Sequence, residues 1–186
     1  DNLLMAIAIS VAGGIDPINI AAITPKLTGA EGRLEKVDLG QSFSALVDYA
    51  HSPDSVTRVL AALRQSTAGK IIAVLGCGGD RDRSKRPLMG AALITGSDVA
   101  IFTSDNPRSE DPAQIVKEMV SGLTLLATTS IELDRKRAIE IAVAVAKPGD
   151  VVVLLGKGHE LGQEIAGVKH NFDDRLVLAA AIEATS

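Results

Sequence analysis

The sequence predicts an α/β fold, a mainly parallel sheet flanked by helices, preceded by a short helical segment. Two observations carry this. Short runs rich in Val and Ile, at 71–75, 99–103 and 151–155, alternate with segments of helical period. Runs of that length read as buried strands, and their alternation with helices implies βαβ units. Each run is also followed directly by a polar loop: Gly76 to Asp82, Asp105 to Arg108, and Gly156 to Glu160. In open α/β sheets ligands sit beyond the carboxyl ends of the strands, so three such loops on one edge suggest one site.

Taken in order, residues 2–12 are apolar and Ala-rich and read as a helix that Gly13-Gly14 ends. Ile15 to Leu27 reads as a second helix, with Asp16 as N-cap and Pro17 at the first position. Thr28 to Gly32 is a linker by composition, which places a domain boundary between residues 1–32 and 33–186. Arg33 to Val37 and Ser42 to Val47 read as a hairpin around Leu39-Gly40. Pro53 to Ser66 carries apolar residues at 56, 59, 60 and 63, the helical period. Strand and helix then alternate: strand 71–75, helix 87–95, strand 99–103, helix 112–126, strand 129–132, helix 135–146, strand 151–155 and helix 174–184.

Composition bounds the function. Apolar residues make up 46% of the 186, enough for a core, but aromatics only 2%, so that core is built from Ala, Val, Ile and Leu. A net charge of -4 argues against non-specific nucleic-acid binding. A single cysteine fits a reducing, cytoplasmic setting, and no apolar run is long enough for a membrane span. The chain begins at Asp1, without methionine and inside the first predicted helix, which reads as a cut chain.

Gly76-Cys77-Gly78-Gly79-Asp80-Arg81 follows a strand, but its sixth position is Arg, not Gly or Ala, which disfavours a dinucleotide fingerprint. The pattern Gly-x-x-x-x-Gly-Lys-Ser/Thr is absent from this chain. The glycines let a ligand approach the backbone closely, and six charged side chains follow between Asp80 and Arg86. Asp105-Asn106-Pro107-Arg108 is compatible with an ordinary turn before a helix capped by Asp111. Its place after a core strand, and the planar fork of Arg108, favour carboxylate recognition instead. Gly156-Lys157-Gly158-His159-Glu160 is not a zinc motif, since position 163 is Gln, and the three histidines are scattered; no metal site is expected. Asp48 and His51 are left over once Ser52 or Asp54 and Pro53 are assigned to a helix start. Cys77 reads as a small buried residue. With cations at Arg81 and Arg108, carboxylates at Asp80, Asp105 and Glu160, and exposed amides, the surface suits a small ligand of both charges, such as an amino acid.

These motifs, in this order, resemble the Mur ligase family over essentially the whole chain. The resemblance rests on Asn2-Leu3-Leu4, Gly32-Arg33, Val47 to Pro53, Gly76 to Gly90, Asp105 to Arg108, Gly156 to Glu160 and Phe172 to Arg175. Within the family it is closest to the members that add meso-diaminopimelate to UDP-N-acetylmuramoyl-L-alanyl-D-glutamate in peptidoglycan synthesis. The resemblance implies that residues 1–32 are the end of a central ATP-binding domain and 33–186 a Rossmann-like carboxyl-terminal domain that receives the amino acid. It carries diaminopimelate contacts to Arg81, Asp105, Asn106, Pro107, Arg108, Gly156 and Glu160. It carries nucleotide contacts to Asn2 for adenine, Arg33 for phosphates and Asp48 for ribose. ATP and Mg2+ are the cofactors it implies for the complete enzyme, with the metal ligands and the catalytic phosphate cradle outside this chain. The chain alone is therefore expected to be inactive, and its first helices its loosest part.

The chemistry agrees. Diaminopimelate differs from lysine by a distal carboxylate. A buried Arg left without that carboxylate is costly, so lysine is rejected. Arg81 and Arg108 can take the two carboxylates, and Glu160 and the Gly156 carbonyl the distal ammonium. Two alternatives compete: a stand-alone amino-acid-binding or regulatory module, and a lysine-adding ligase, which Arg108 disfavours.

Overall fold

The computed structural model describes residues 2–27 and 29–185; the side chain of Asn2, expected at adenine, lies outside what is described. The chain divides into two compact units, Asp1–Ala30 and Glu31–Ser186, beside the linker read from composition.

The first unit holds α1 (Asn2–Ala12), α2 (Pro17–Ile23) and a 3-10 turn (Thr24–Lys26). Asp16 caps α2 by accepting from the Ile18 amide at 2.8 Å, and Pro17 opens the helix. None of its described side chains is buried; Leu4 and Ile18 are 69% and 76% exposed. These helices have no core of their own.

The second unit is a three-layer sandwich. Its sheet comprises β1 (Glu35–Lys36), β2 (Ser44–Asp48), β3 (Ile71–Cys77), β4 (Val99–Ser104), β5 (Thr129–Ile131) and β6 (Val151–Leu155) in the order β1-β2-β6-β3-β4-β5. Only the β1–β2 pair is antiparallel. Strand alternation divides the core between two faces. Ile71, Ala73 and Leu75 pack with Leu60, Leu93 and Met119 beneath α3 (Pro53–Ser66), α4 (Lys85–Gly96) and α5 (Pro112–Met119). Ile72 and Val74 pack with Ile139, Leu178 and Ile182 beneath α6 (Arg135–Val145) and α7 (Asp174–Glu183). Phe102 is the one fully buried aromatic side chain in these clusters, with Phe43 and Phe172 packed half-buried against the second.

Caps fix the helix starts. Ser52 and Ser55 form a reciprocal capping box ahead of Pro53. Asp111, Asp134 and Asp173 each accept a first-turn amide. Two expectations need correction. The helix starting at Pro112 ends at Met119, not 126, because the chain turns at Val120 and reaches φ +75° at Gly122. A hairpin, β7 (Gly162–Ile165) and β8 (Val168–Asn171), stands where no element was expected. Its turn, Ala166-Gly167, has positive φ at both residues, as a two-residue hairpin turn demands. No described helix is long and apolar enough to cross a membrane.

Chain order explains where a site can form. The connection from β2 to β3 skips one sheet position, which β6 fills from the other face. The crevice at such a reversal opens above the strands' carboxyl ends.

Candidate functional site

A cavity of about 400 Å³ lies above the carboxyl ends of β2, β3, β4 and β6. Arg81, Asp105, Asn106, Arg108, Gly156 and Glu160 line it. Pro107 does not; its carbonyl packs against Gly79, where no Cβ could fit. Tyr49 and His51, after β2, form another wall.

The loop after β4 is held on every side. Asp105 is 7% exposed, and burial pushes its carboxyl above the usual carboxylate range, against the pull of Arg135 and Lys157. Gly156 sits at φ +109°, and a Cβ there would lie 2.6 Å from Asp105 Oδ2, so the two loops touch only because this residue has no side chain. The Asn106 amide donates to Asp105 Oδ1 and Glu160 Oε2, both at 2.8 Å, and its oxygen accepts from the Glu164 amide at 2.9 Å. Arg108 adopts φ +53°, rare for a residue with a Cβ. β7 holds it there: the Arg108 amide donates to Glu164 O at 2.9 Å, and the Ala166 amide donates to Arg108 O at 2.7 Å. Its Nη1 donates to Gly79 O at 2.7 Å, which aims the fork along the cavity wall.

The arginines of the Gly76–Arg86 segment play different parts. Among the described residues Arg81 makes only a 3.5 Å hydrogen bond, to its neighbour's carbonyl, so its guanidinium is otherwise uncommitted. Arg86 is 1% exposed and committed: it donates to Glu110 at 2.7 and 2.9 Å, to Glu118 at 2.7 Å and to Gly78 O at 3.3 Å. Glu110 in turn accepts from the Asp80 amide at 2.6 Å. Hydrogen bonds from Arg86 to Glu110, and from Arg83 to Glu118, draw both carboxyls down to about 2. Folded-state values below the ordinary 4.5 mean that this stability is present above 4.5 and is lost as pH falls towards 2. A urea series across that range should show falling stability, with a weaker fall in Arg86→Met. Equal slopes in the two proteins would contradict the assignment.

Cys77 is buried, and burial first, then the Asp105 charge, push its thiol up to about 12. The thiolate is the reactive form. The folded chain should therefore resist iodoacetamide at pH 8, and mass spectrometry showing rapid alkylation without unfolding would contradict it.

Beneath the loops lie groups that sequence reasoning missed. Arg135 and Asp174, both nearly inaccessible, pair through Nε–Oδ1 at 2.8 Å and Nη2–Oδ2 at 2.6 Å. Arg135 also donates to Ser104 O at 3.3 Å and Leu155 O at 3.0 Å, the last carbonyls of β4 and β6. Lys157 is fully buried. Asp174 and Lys157 lie inside motifs that carry the family resemblance, but nothing local marked them as buried; Arg135 was marked only by opening a helix after a strand.

Of the residues expected at a nucleotide, Arg33 lies over the Tyr49 ring at 5.0 Å. Asp48 is 5% exposed and accepts from the Leu34 and Ala50 amides, both at 2.8 Å. Among the described residues no cluster of His, Cys, Asp and Glu could hold a metal ion.

Comparison with known proteins places this geometry. Residues 32–158 match the family model described as Mur ligase, glutamate ligase domain. The chain is 52% identical over 189 aligned positions to a UDP-N-acetylmuramoyl-L-alanyl-D-glutamate–2,6-diaminopimelate ligase of Streptomyces coelicolor, covering 99% of this chain and 37% of the relative. It is 48% identical to the same-named ligase of Geobacillus thermodenitrificans, covering 98% of this chain and 37% of that one. A solved structure of a ligase of that name superposes with a TM-score of 0.80 at 43% identity, over 99% of this chain and 38% of the other. The chain thus spans little more than a third of the length of these relatives. A model match over most of the chain, with loops in register at the carboxyl ends of the sheet, establishes that the chain belongs to the Mur ligase family.

Proposed function

We propose that this chain is the amino-acid-binding part of an ATP-dependent ligase that joins meso-diaminopimelate to UDP-N-acetylmuramoyl-L-alanyl-D-glutamate, a cytoplasmic step of peptidoglycan synthesis. The observation that carries the reading is the polarity of the cavity. Arg81 and Arg108 stand on the walls built after β3 and β4, beside Asp82 and Asp105; Glu160 and Gly156 stand on the wall after β6. A ligand that carries a carboxylate and an ammonium at each end matches a lining of both charges. Lysine lacks one carboxylate and leaves one Arg without a partner.

In this reading Glu31–Ser186 is the domain that receives the amino acid, and Asp1–Ala30 the end of a central ATP-binding domain. Bond formation requires the incoming amine to lie about 3 Å from an activated carboxyl carbon. The work of the residues here is to bind and orient: the arginines fix the carboxylates, and Glu160 holds the far ammonium so that the near amine stays free. ATP, with Mg2+, supplies the activation of the carboxylate. Arg33 fits a place near the phosphates, since its face rests on Tyr49 and it has no carboxylate partner among the described residues. Asp48 retains acceptor capacity for a ribose hydroxyl beyond its two amide bonds.

The test is titration of meso-diaminopimelate into the isotopically labelled chain, followed by amide resonances. Shifts should concentrate at 78–81, at 105, 106 and 108, and at 156–160, and lysine should bind at least about tenfold more weakly. Equal binding of lysine, or shifts elsewhere, would overturn the reading.

A further inference from the structure

We propose that Lys157 is a positioning residue, whose buried ammonium holds Glu160 in the geometry that recognises the second ammonium of the ligand. The inference rests on the proposed function and adds a residue to it.

A lysine with no exposed surface must satisfy its charge inside the protein. Its three donors find three acceptors: Gly162 O at 2.6 Å, Glu160 Oε2 at 3.3 Å and Asn106 Oδ1 at 3.4 Å. The same Asn106 donates to Glu160 Oε2 at 2.8 Å. Glu160 Oε2 therefore receives two donors from within the protein. The Glu160 side chain is 36% exposed and lines the cavity, so it reaches the ligand space while anchored from below. The arrangement crosses three chain segments: the loop after β6, the loop after β4 and the first residue of β7. A purely structural lysine could have been tied to Gly162 O alone.

The charges around Glu160 sharpen the point. It faces Lys157 on its own loop, Asp105 at the end of β4 and Arg135 at the start of α6. Arg135 is already paired with Asp174. Arg135 and Lys157 both offset the repulsion between Glu160 and Asp105, but of the two only Lys157 hydrogen-bonds Glu160 itself. Without it, a half-exposed glutamate beside a buried carboxyl turns to solvent, and the cavity loses its fixed ammonium acceptor.

The experiment compares meso-diaminopimelate with 2-aminopimelate, the same diacid lacking the second amine, by calorimetry on the 186-residue chain and on Lys157→Met. The native chain should prefer diaminopimelate by roughly ten- to a hundred-fold, as expected for a charged hydrogen bond. In folded Lys157→Met the preference should fall below about threefold, while 2-aminopimelate affinity changes little. A lysine serving only the fold would weaken both ligands alike and leave their ratio intact; an unchanged ratio overturns the proposal. Should Lys157→Met not fold, the native protein still answers. The exchange-protected Nζ resonance of Lys157 should shift with diaminopimelate and not with 2-aminopimelate; an unmoved resonance under saturating diaminopimelate overturns it. Absence of any diaminopimelate binding by the native chain would instead remove the proposed function, and this role with it.

Discussion

Asp174→Ala is expected to lower the unfolding free energy of Glu31–Ser186 by about 3–5 kcal/mol, the usual cost of orphaning a buried charge. Arg135 is 1% exposed, and Asp174 supplies both of its carboxylate contacts. Without them the guanidinium keeps only the carbonyls of Ser104 and Leu155. Because those carbonyls end β4 and β6, the loss reaches the loops that carry Arg108 and Glu160, and ligand affinity should fall with stability. Arg135→Met combined with Asp174→Leu should cost less than either single change, since it removes both charges together. The exposed pair Lys36–Asp38 provides the contrast: breaking it should leave stability essentially unchanged. Urea unfolding of these variants is the measurement. A loss below about 1 kcal/mol in Asp174→Ala, with an unchanged denaturant slope, would mean that the pair contributes little.

How far the chain could be read beforehand follows from which forces act locally. β3, β4 and β6 were visible because central parallel strands are buried on both faces and so appear as unbroken apolar runs. The helix starts were visible because Asp16, Ser52 and Asp111 cap them with side chains. The β7–β8 hairpin was not. β8 is exposed along its whole length, and its turn is Ala-Gly rather than Asn-Gly or Asp-Gly, so neither apolar alternation nor turn chemistry marks it. That omission matters for the site, because β7 is what holds the Arg108 backbone at positive φ. Likewise Arg81 and Glu160 could be named from their loops. The partners of Asn106 and Arg135 could not, since they lie 54 and 39 residues away and depend on how the strands are ordered.

Arg108→Ala is expected to weaken meso-diaminopimelate binding by roughly ten- to a thousand-fold and to leave lysine binding nearly unchanged. The physical case begins with the backbone. Arg and Ala both carry a Cβ, so the strain of φ +53° is common to both, and the clamp from β7 survives the change. What is lost is the fork. One Nη1 proton is spent on Gly79 O, and Glu164 Oε2 lies 3.8 Å from Nε, leaving the Nη2 edge for a ligand carboxylate. The side chain is 23% exposed, which places the loss below that of a fully buried pair and sets the lower end of the range. Arg108→Lys should recover little, because an ammonium cannot hold Gly79 O and a carboxylate in one plane. A cation that only raised the local potential would behave differently: Lys would then restore most of the affinity. Calorimetry with diaminopimelate and lysine on the three proteins separates these outcomes. Collapse of the diaminopimelate preference in both variants assigns the distal carboxylate to Arg108. A preference that persists in Arg108→Ala returns the loop to the role of a turn between β4 and α5, and leaves Arg81 as the cation that chooses the ligand.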